Sequence, residues 1–208
     1  MSAALPPPPA LGAPLPPRRR PEVLAFLAER RSAAALTLMQ PGPSAADVDE
    51  LLRLATRTPD HGKLTPWRFI VFRGETKLAF ANVLEEIADR RCDGAAAARL
   101  RKLKAPPLCI AVISSPRPGK IPEWEQRLSA GAACTNLTYA ALAMGFGANW
   151  ITDWYAYDEQ AAKVLGLAAE EKIAGFVMIG SVVEPPLERE RPHPNALVSP
   201  WPPLTPEP

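Results

Sequence analysis

A long segment of this chain without a charged side chain runs from Leu128 to Ile151. Its length suits a membrane-spanning helix, but scattered glycine, hydroxyl and amide residues lower its hydropathy below that of a leucine-rich span. These residues are Ser129, Gly131, Thr135, Asn136, Thr138, Gly145, Gly147 and Asn149. We therefore expect no membrane span but a buried helix that runs into a strand, at the packed centre of a domain or at a subunit interface.

The amino-acid composition further limits the kinds of protein that this chain can be. A chain of 208 residues with 47% hydrophobic and 22% charged residues has enough material for one sizeable core, so we expect one domain. The net charge of +2 lacks the concentrated basic face that nucleic-acid binding requires. The three cysteines form no C-x-x-C pair and only two histidines are present, which argues against a metal site. The odd cysteine count, with no apolar leader, favours a cytoplasmic location.

Hydrophobic periodicity and turn residues predict alternating helices and strands. Ser44 and Asp47 resemble a capping box, which begins a second helix and delivers Arg57 to the following loop. The other predicted helices span 21–31, 75–90, 94–104, 122–144 and 159–165, and the predicted strands span 67–72, 107–114, 149–152 and 172–181. This order is typical of a three-layer α/β fold, whose strand order the pattern leaves open.

The two ends of the chain are rich in proline. We expect residues 1–20 to form a disordered extension, residues 21–184 to form the folded domain, and residues 185–208 to form a tail. Burial of the apolar tail residues on another surface would offset part of the entropy lost in ordering the tail. Those residues are Leu197, Val198 and Trp201. We therefore expect the tail to pack on a partner subunit rather than remain disordered.

Two short runs gather hydrogen-bond donors that suit a phosphorylated cofactor. The first combines two guanidinium groups with a hydroxyl, and a guanidinium binds phosphate through paired hydrogen bonds. It consists of Arg30, Arg31 and Ser32. The second runs from Thr58 to Trp67, in the loop after the second helix, and contains His61 and Lys63. Taken alone, the first run equally suits a basic helix C-terminus, and the second an ordinary loop.

Four motifs in order strengthen the cofactor interpretation. They are R-R-S at 30–32, P-D-H-G-K-L-x-P-W at 59–67, P-x-W-E-Q-x-x-S-A-G at 122–131 and G-F-G-x-x-W at 145–150. Together they resemble the short-chain branch of the FMN-dependent nitroreductase family over about residues 22–200. The resemblance implies an α/β (α+β) fold with a central mixed β-sheet between helices, and an intertwined homodimer that binds FMN at its subunit interface.

The resemblance also assigns roles to individual residues. It places Arg30, Arg31 and Ser32 at the FMN phosphate, and it adds a further set of FMN contacts. That set comprises Arg57, His61, Lys63, Trp150, Ile151 and Thr152. The stretch that resembles the family's nicotinamide-binding segment comprises Ala140, Ala141, Leu142, Ala143, Met144 and Gly145, so that NADH or NADPH is the implied reductant.

The chain departs from the family pattern at three positions. Ile151 and Thr152 stand where arginine and serine are expected, and Ala35 stands where an arginine often follows the first motif. These changes remove phosphate contacts and leave Arg30 and Arg31 with more of the charge to neutralise. The G-F-G run ends a helix instead of opening one after a strand, so it is not a dinucleotide-binding fingerprint.

The implied activity needs no catalytic acid or base from the protein, because the flavin N5 carries the hydride. We expect ping-pong reduction of a nitroaromatic, quinone or similar electron-poor acceptor over one flavin ring. The candidates to line the slot over that ring, each of them equally suited to the core, are Trp124, Phe146, Trp150, Trp154 and Tyr155. Three alternatives stay open: a flavin-binding protein without turnover, a flavin-fragmenting or dehalogenating relative, and a purely structural dimer.

Overall fold

Helices cover both faces of a five-stranded sheet within residues 6–201, the part of the chain that the computed structural model describes. The helices are α1 (Pro21–Glu29), α2 (Ala45–Ala55), α3 (Gly74–Arg90), α4 (Gly94–Arg99), α5 (Arg101–Lys104), α6 (Glu123–Ala143) and α7 (Glu159–Val164). The strands are β1 (Leu38–Met39), β2 (Trp67–Arg73), β3 (Leu108–Ser114), β4 (Gly147–Ile151) and β5 (Lys172–Val182).

The sheet is organised around β5, which pairs with β1, β3 and β4, while β2 pairs with the other edge of β3. Every pairing among the described strands is antiparallel, which corrects the expected mixed sheet. The reason lies in the connections. After β2 the chain turns into α3, and α4 and α5 bring it back to the same end of the sheet, where Leu108 pairs with Arg73.

The three-layer α/β arrangement is confirmed by two separate cores on the two faces of the sheet. Alternate residues of β3 point to opposite faces, as a strand's twofold side-chain period requires. Cys109, Ala111 and Ile113 pack in the core beneath α3, α4 and α5. Their neighbours Leu108, Ile110 and Val112 pack in the core beneath α2 and α6.

The long uncharged segment forms α6 followed by β4, as predicted. Small residues on the buried face of α6, such as Ala130, Ala133 and Ala141, allow the helix to lie close to the sheet and to α2. Among the described residues, no helix combines the length and apolar character needed to cross a membrane.

Local sequence signals explain where α1 and α2 begin. The Ser44 hydroxyl accepts a hydrogen bond from the Asp47 N–H at 3.2 Å, and the Asp47 carboxylate accepts one from the Ser44 N–H at 2.8 Å, so the predicted capping box is confirmed. Pro21 occupies the first turn of α1. This helix buries none of its residues in the chain, and its apolar side chains are about half exposed, with Val23 at 47%, Leu24 at 59% and Leu27 at 49%.

A few boundaries differ from the prediction. The helix predicted over 94–104 is divided at Leu100 into α4 and α5, and β4 begins at Gly147 instead of 149. The two-residue strand β1 was not predicted, because two residues carry no detectable periodicity. The described part of the extension, residues 6–20, contains no helix or strand. Residues 1–5 and 202–208, which include parts of the predicted extension and tail, lie outside the described residues.

Candidate functional site

Arg30 directly follows α1, and its guanidinium group is partly buried. Its Nη2 donates to the Ser32 hydroxyl at 3.2 Å, and its Cζ lies 5.7 Å from the ring centroid of Tyr139 on α6. Its Nε is buried and finds no hydrogen-bond acceptor among the described residues. A buried cationic N–H group without an acceptor is costly, and an anionic ligand would satisfy it.

Strand β4 fixes the run that contains Arg30. Just after Ser32, the Ala33 N–H donates to the Ala148 carbonyl at 3.1 Å, and the Asn149 side-chain amide donates to the Ala33 carbonyl. Residues of β4 thus bind both the N–H and the carbonyl group of Ala33, the residue that directly follows the R-R-S run. The run is therefore a positioned element rather than a frayed helix end.

Arg31 points toward the C-terminal tail of the same chain. Its Nε donates to the Leu187 carbonyl at 2.9 Å, and the Glu188 carboxylate lies 3.9 Å from the same nitrogen. Arg31 and Arg30 therefore have different surroundings, although the sequence assigned them one role. The packing of the tail on a partner subunit stays a prediction.

The second predicted run is a tightly folded loop anchored on α6. The Pro59 carbonyl accepts a hydrogen bond from Ser129 at 2.9 Å, and the Asp60 carboxylate accepts one from each of the Leu64 and Thr65 N–H groups at 3.0 Å. The turn passes through the left-handed region at three residues: Gly62 with φ of 71°, Lys63 with 54° and Thr65 with 50°. Such a conformation strains a β-branched residue, and functional sites commonly retain strain of this kind.

His61 lies in this loop and faces a cleft of about 340 Å³. Its Nδ1 is 2.7 Å from a carboxylate oxygen of Glu125 on α6. The cleft is lined by Pro59, Asp60, His61, Glu125, Leu128, Ser129 and Ala132. Sequence reasoning did not assign Glu125 and Asp60 to the site, although the W-E-Q and P-D-H motifs contain them. Arg57 and Lys63 are exposed at the two ends of the loop.

The two predicted runs lie at opposite ends of α6. Arg30 is beside Tyr139, near the C-terminal end of the helix, whereas His61 contacts Glu125, near the N-terminal end. At 1.5 Å of rise per residue, these two helix positions are separated by about 21 Å. Within one chain, the residues predicted to bind FMN therefore form two clusters, the Arg30 cluster and the His61 cluster.

Of the predicted contacts, Trp150 and Ile151 end β4 and Thr152 directly follows it, and the three residues differ in exposure. Trp150 is 42% exposed and donates from Nε1 to the Ala174 carbonyl at 3.2 Å. Ile151 packs against the core beneath α3. The Thr152 hydroxyl accepts a hydrogen bond from Tyr157 at 3.1 Å. Of the three, Trp150 presents the largest surface to a ligand.

Gly175 on β5 makes room for the Trp150 indole, because a Cβ at this position would overlap Nε1 and Cδ1 of the ring. We expect Gly175→Ala to displace the indole and to lower the free energy of unfolding by about 1–3 kcal/mol. Urea titration measures the stability, and the Trp150 indole N–H resonance reports the displacement. Gly94→Ala, where a Cβ meets no atom within 4 Å, is the control. An unshifted Trp150 resonance in Gly175→Ala would contradict the packing described.

The predicted nicotinamide-binding stretch forms the end of α6 and its cap. Ala140 and Ala141 are buried in the core, so their side chains are not available to a ligand, and Leu142 and Met144 pack against the same core. Ala143 and Gly145 are exposed, and Gly145 ends the helix with a φ of 86°. The assignment of this stretch to nicotinamide binding stays a prediction. On this chain it is restricted to contacts with backbone groups and with the exposed Ala143 and Gly145.

The aromatic candidates for a slot over the flavin divide into core and surface residues. Tyr155 is fully buried with its ring 4.9 Å from that of Phe176, and Trp154 donates to the Ala96 carbonyl at 3.1 Å. Both therefore belong to the core, and burial raises the pKa of the Tyr155 hydroxyl far above its ordinary value. Phe146 packs partly against the core beneath α6. Trp124, which is 68% exposed, lies on α6 one turn before Leu128 of the cleft.

Comparison with known proteins identifies the family. The model of the nitroreductase family matches residues 27–181. This chain belongs to the nitroreductase family. The Escherichia coli K12 protein named “Putative NAD(P)H nitroreductase YdjA” is 34% identical to this nitroreductase-family chain over 166 residues, which cover 77% of this chain and 88% of the relative.

Solved structures support the nitroreductase fold. A nitroreductase-like family protein from Bacillus cereus superposes with a TM-score of 0.74 at 20% identity, covering 89% of this chain and 98% of that one. A Desulfovibrio desulfuricans protein, described as a “putative nitroreductase in complex with fmn”, superposes with a TM-score of 0.69 at 21% identity, covering 89% and 100%. The expected nitroreductase-like α/β fold is thereby confirmed, apart from the direction of the strands.

Proposed function

We propose that this chain is an FMN-dependent NAD(P)H oxidoreductase that reduces nitroaromatic, quinone or similar electron-poor acceptors. The observation that carries the proposal is the partly buried guanidinium of Arg30, whose buried Nε has no acceptor among the described residues and whose Nη2 contacts the Ser32 hydroxyl. Family membership supports it, as do the name of the E. coli relative, which specifies NAD(P)H, and the D. desulfuricans structure, which contains FMN.

The residues of the Arg30 cluster fit the phosphate of FMN. A phosphate dianion accepts several hydrogen bonds, and Arg30 and Ser32 offer a guanidinium and a hydroxyl that already lie 3.2 Å apart. Arg31 adds a second guanidinium at the adjacent position, with its Nε held by the Leu187 carbonyl. The hydrogen bonds between Ala33 and β4 hold the backbone of this run in place, so little entropy remains to be lost on binding.

We further propose that the chain forms a homodimer with two FMN sites at the subunit interface. Three observations support this. The positions on α6 that contact the Arg30 and His61 clusters are about 21 Å apart in one chain, so a second copy is suited to bring its His61 cluster to the ring of an FMN whose phosphate is bound at Arg30. Among the described residues, the apolar side chains Val23, Leu24 and Leu27 of α1 are about half exposed, and Trp124 and Leu128 on α6 are 68% and 53% exposed. Burial of such surfaces favours association.

The chain's own residues would hold and shape the site while FMN carries the chemistry. Bound FMN supplies hydride transfer from the nicotinamide to the acceptor. Arg57, His61 and Lys63 offer donors that stabilise negative charge near the ring, and Trp150 and Trp124 offer apolar surface that excludes water. Because one ring serves two substrates in turn, we expect ping-pong kinetics and parallel double-reciprocal plots.

A visible absorption spectrum of the purified protein tests the proposal, recorded before and after anaerobic addition of NADH or NADPH. We expect a yellow protein that either nicotinamide bleaches and that a quinone restores. A protein that stays yellow would favour a flavin-binding protein without turnover, which the uncharged Ala35 and Ile151 positions suggest. A colourless protein that FMN does not reconstitute would overturn the proposal.

A further inference from the structure

We propose that His61 donates the proton that accompanies hydride transfer to the acceptor, and that Glu125 positions His61 for this step. The inference rests on the proposed function and adds an acid to a site at which the sequence predicted none. It is carried by the hydrogen bond between His61 and Glu125, which joins the P-D-H-G-K loop to α6 at the wall of the cleft.

The contact with Glu125 determines which ring nitrogen carries the proton. A carboxylate only accepts hydrogen bonds, so the imidazole Nδ1, at 2.7 Å, must be the donor. Nε2 is then the nitrogen that remains for a ligand. The neutral ring accepts a proton at Nε2, and the cationic ring donates one from it. This is the geometry in which a carboxylate orients a histidine for proton transfer.

The loop gives His61 a defined position, as a proton donor requires. The Asp60 carboxylate binds the Leu64 and Thr65 N–H groups, and Ser129 binds the Pro59 carbonyl, so both sides of His61 are anchored. Around the ring, the charged groups that line the cleft are the carboxylates of Asp60 and Glu125, and Lys63 is two residues further along the loop.

The cleft itself suits a flat, largely apolar acceptor. Pro59, Leu128 and Ala132 contribute apolar surface, while His61 and Glu125 place the polar groups at one side. This combination is common in small-molecule sites, where apolar walls surround a few polar groups that fix orientation.

The proposed step balances in atoms and electrons for both acceptor classes. With reduced FMN bound, a quinone would gain a hydride, which brings two electrons and one hydrogen, and one proton from Nε2 of His61, which would complete the hydroquinone. A nitro group that gains the same hydride and proton loses water and becomes a nitroso group. The neutral imidazole then recovers its proton from solvent, because the His61 side chain is 60% exposed.

Rapid-mixing kinetics of flavin reoxidation tests the proposal. The wild type and the His61→Gln and Glu125→Ala variants, saturated with FMN and reduced by dithionite, are mixed with benzoquinone or with ferricyanide. Ferricyanide accepts electrons without protons. We expect His61→Gln to lower the rate with benzoquinone about 100-fold relative to the rate with ferricyanide, and Glu125→Ala to lower this ratio about 10-fold. The ratio of the two rates corrects for altered flavin binding.

Two controls and one independent measurement complete the test. Glu123→Gln, on the same helix turn as Glu125, and His193→Gln, at the only other histidine, should leave the ratio unchanged. Nitrogen NMR of the imidazoles should show the Nδ1–H tautomer at neutral His61 in the wild type and its loss in Glu125→Ala. His193, whose Nδ1 accepts a hydrogen bond from the Asn195 N–H at 3.3 Å, should show the opposite tautomer throughout.

The outcomes separate this proposal from the proposed function. An unchanged rate ratio in His61→Gln, or an Nε2–H tautomer at His61 in the wild type, would overturn the role of His61. Failure of NADH and NADPH to reduce the flavin would instead contradict the proposed function, and the dithionite experiment does not depend on that step. The NMR measurement requires no flavin.

Discussion

Arg30→Ala weakens FMN binding by about 1.5–3 kcal/mol, or roughly 10- to 150-fold in the dissociation constant, if Arg30 binds the phosphate as proposed. The expected loss is large because the alanine removes a charged donor whose Nε is already buried without an acceptor. Quenching of FMN fluorescence on titration with apoprotein measures the constant. Arg20→Ala is the matched control, since Arg20 lies at the other end of α1, with an exposed side chain 4.0 Å from Glu22.

Two further substitutions show whether the loss of FMN affinity in Arg30→Ala is specific to the Arg30 guanidinium. Arg30→Lys keeps the charge but loses the planar pair of donors, so we expect most of the affinity to be lost as well. Arg31→Ala should weaken FMN binding too, and it should also free the tail near Leu187, whose carbonyl accepts the Arg31 Nε–H group. A dissociation constant for Arg30→Ala equal to that of Arg20→Ala would remove Arg30 from the phosphate site.

Much of the fold follows from local sequence signals. The Ser44 and Asp47 pair identified the start of α2 because a capping box requires only residues three positions apart. The bounds of β2 and β3 followed from short apolar runs between turn residues. The small residues of α6 indicated a helix against which other backbones pack closely, and Ala130, Ala133 and Ala141 are fully buried. Each of these features depends on neighbouring residues alone.

Features that depend on distant pairs were not predictable in the same way. The direction of β3 relative to β2 is set by how α3, α4 and α5 fold back, which periodicity does not encode. Glu125 contacts His61 although the two residues are 64 positions apart, so the local sequence around one residue does not reveal its contact with the other. Lys77 belongs to an amphipathic helix pattern, yet its ammonium group is buried and donates to the carbonyls of Lys104 and Pro106.

The candidate site, too, was predictable from the sequence only in part. The motifs singled out two groups of residues that the fold holds in defined positions, Arg30 with Ser32 and His61 with its loop. They did not reveal that the groups lie at opposite ends of α6 in one chain. Their separation depends on which end of α6 each loop reaches, and this is a property of the packed structure. Their assignment to FMN stays a proposal that the Arg30 variants test.

The second large effect that we expect concerns Glu171, and it is an effect on the stability of the fold rather than on binding. Its carboxylate accepts two hydrogen bonds from Arg68 on β2, at 2.8 and 2.7 Å, one from Ser115 at 2.5 Å and one from the Ala168 N–H at 3.0 Å. The Glu171 side chain is only 7% exposed. The network joins β2, the end of β3 and the segment that leads into β5, across 103 positions of sequence between Arg68 and Glu171.

These contacts make the stability contributed by Glu171 depend on pH. The hydrogen bonds from Arg68 are the main cause that lowers the pKa of Glu171 from an ordinary value of 4.5 to about 2, while desolvation opposes the shift. Because the pKa of Glu171 is lower in the folded state, its stabilising contribution is present in full above the pKa that Glu171 has in the unfolded chain. It is lost as the pH falls from about 5 toward 2. A shift of this size corresponds to about 3 kcal/mol, since one pKa unit is about 1.4 kcal/mol.

We therefore expect Glu171→Gln to lower the free energy of unfolding at pH 7 by about 2–3 kcal/mol and to flatten its decline in acid. Urea unfolding at pH 7 and pH 3 measures both effects, and the difference from wild type should shrink at the lower pH, where protonation of Glu171 in the unfolded chain already removes most of the benefit. Glu170→Gln, at the exposed neighbouring position, should change neither quantity appreciably. If the two variants unfold alike at pH 7, the Arg68 pair contributes no net stability. The cost of desolvating the two charges then equals the energy gained from their attraction.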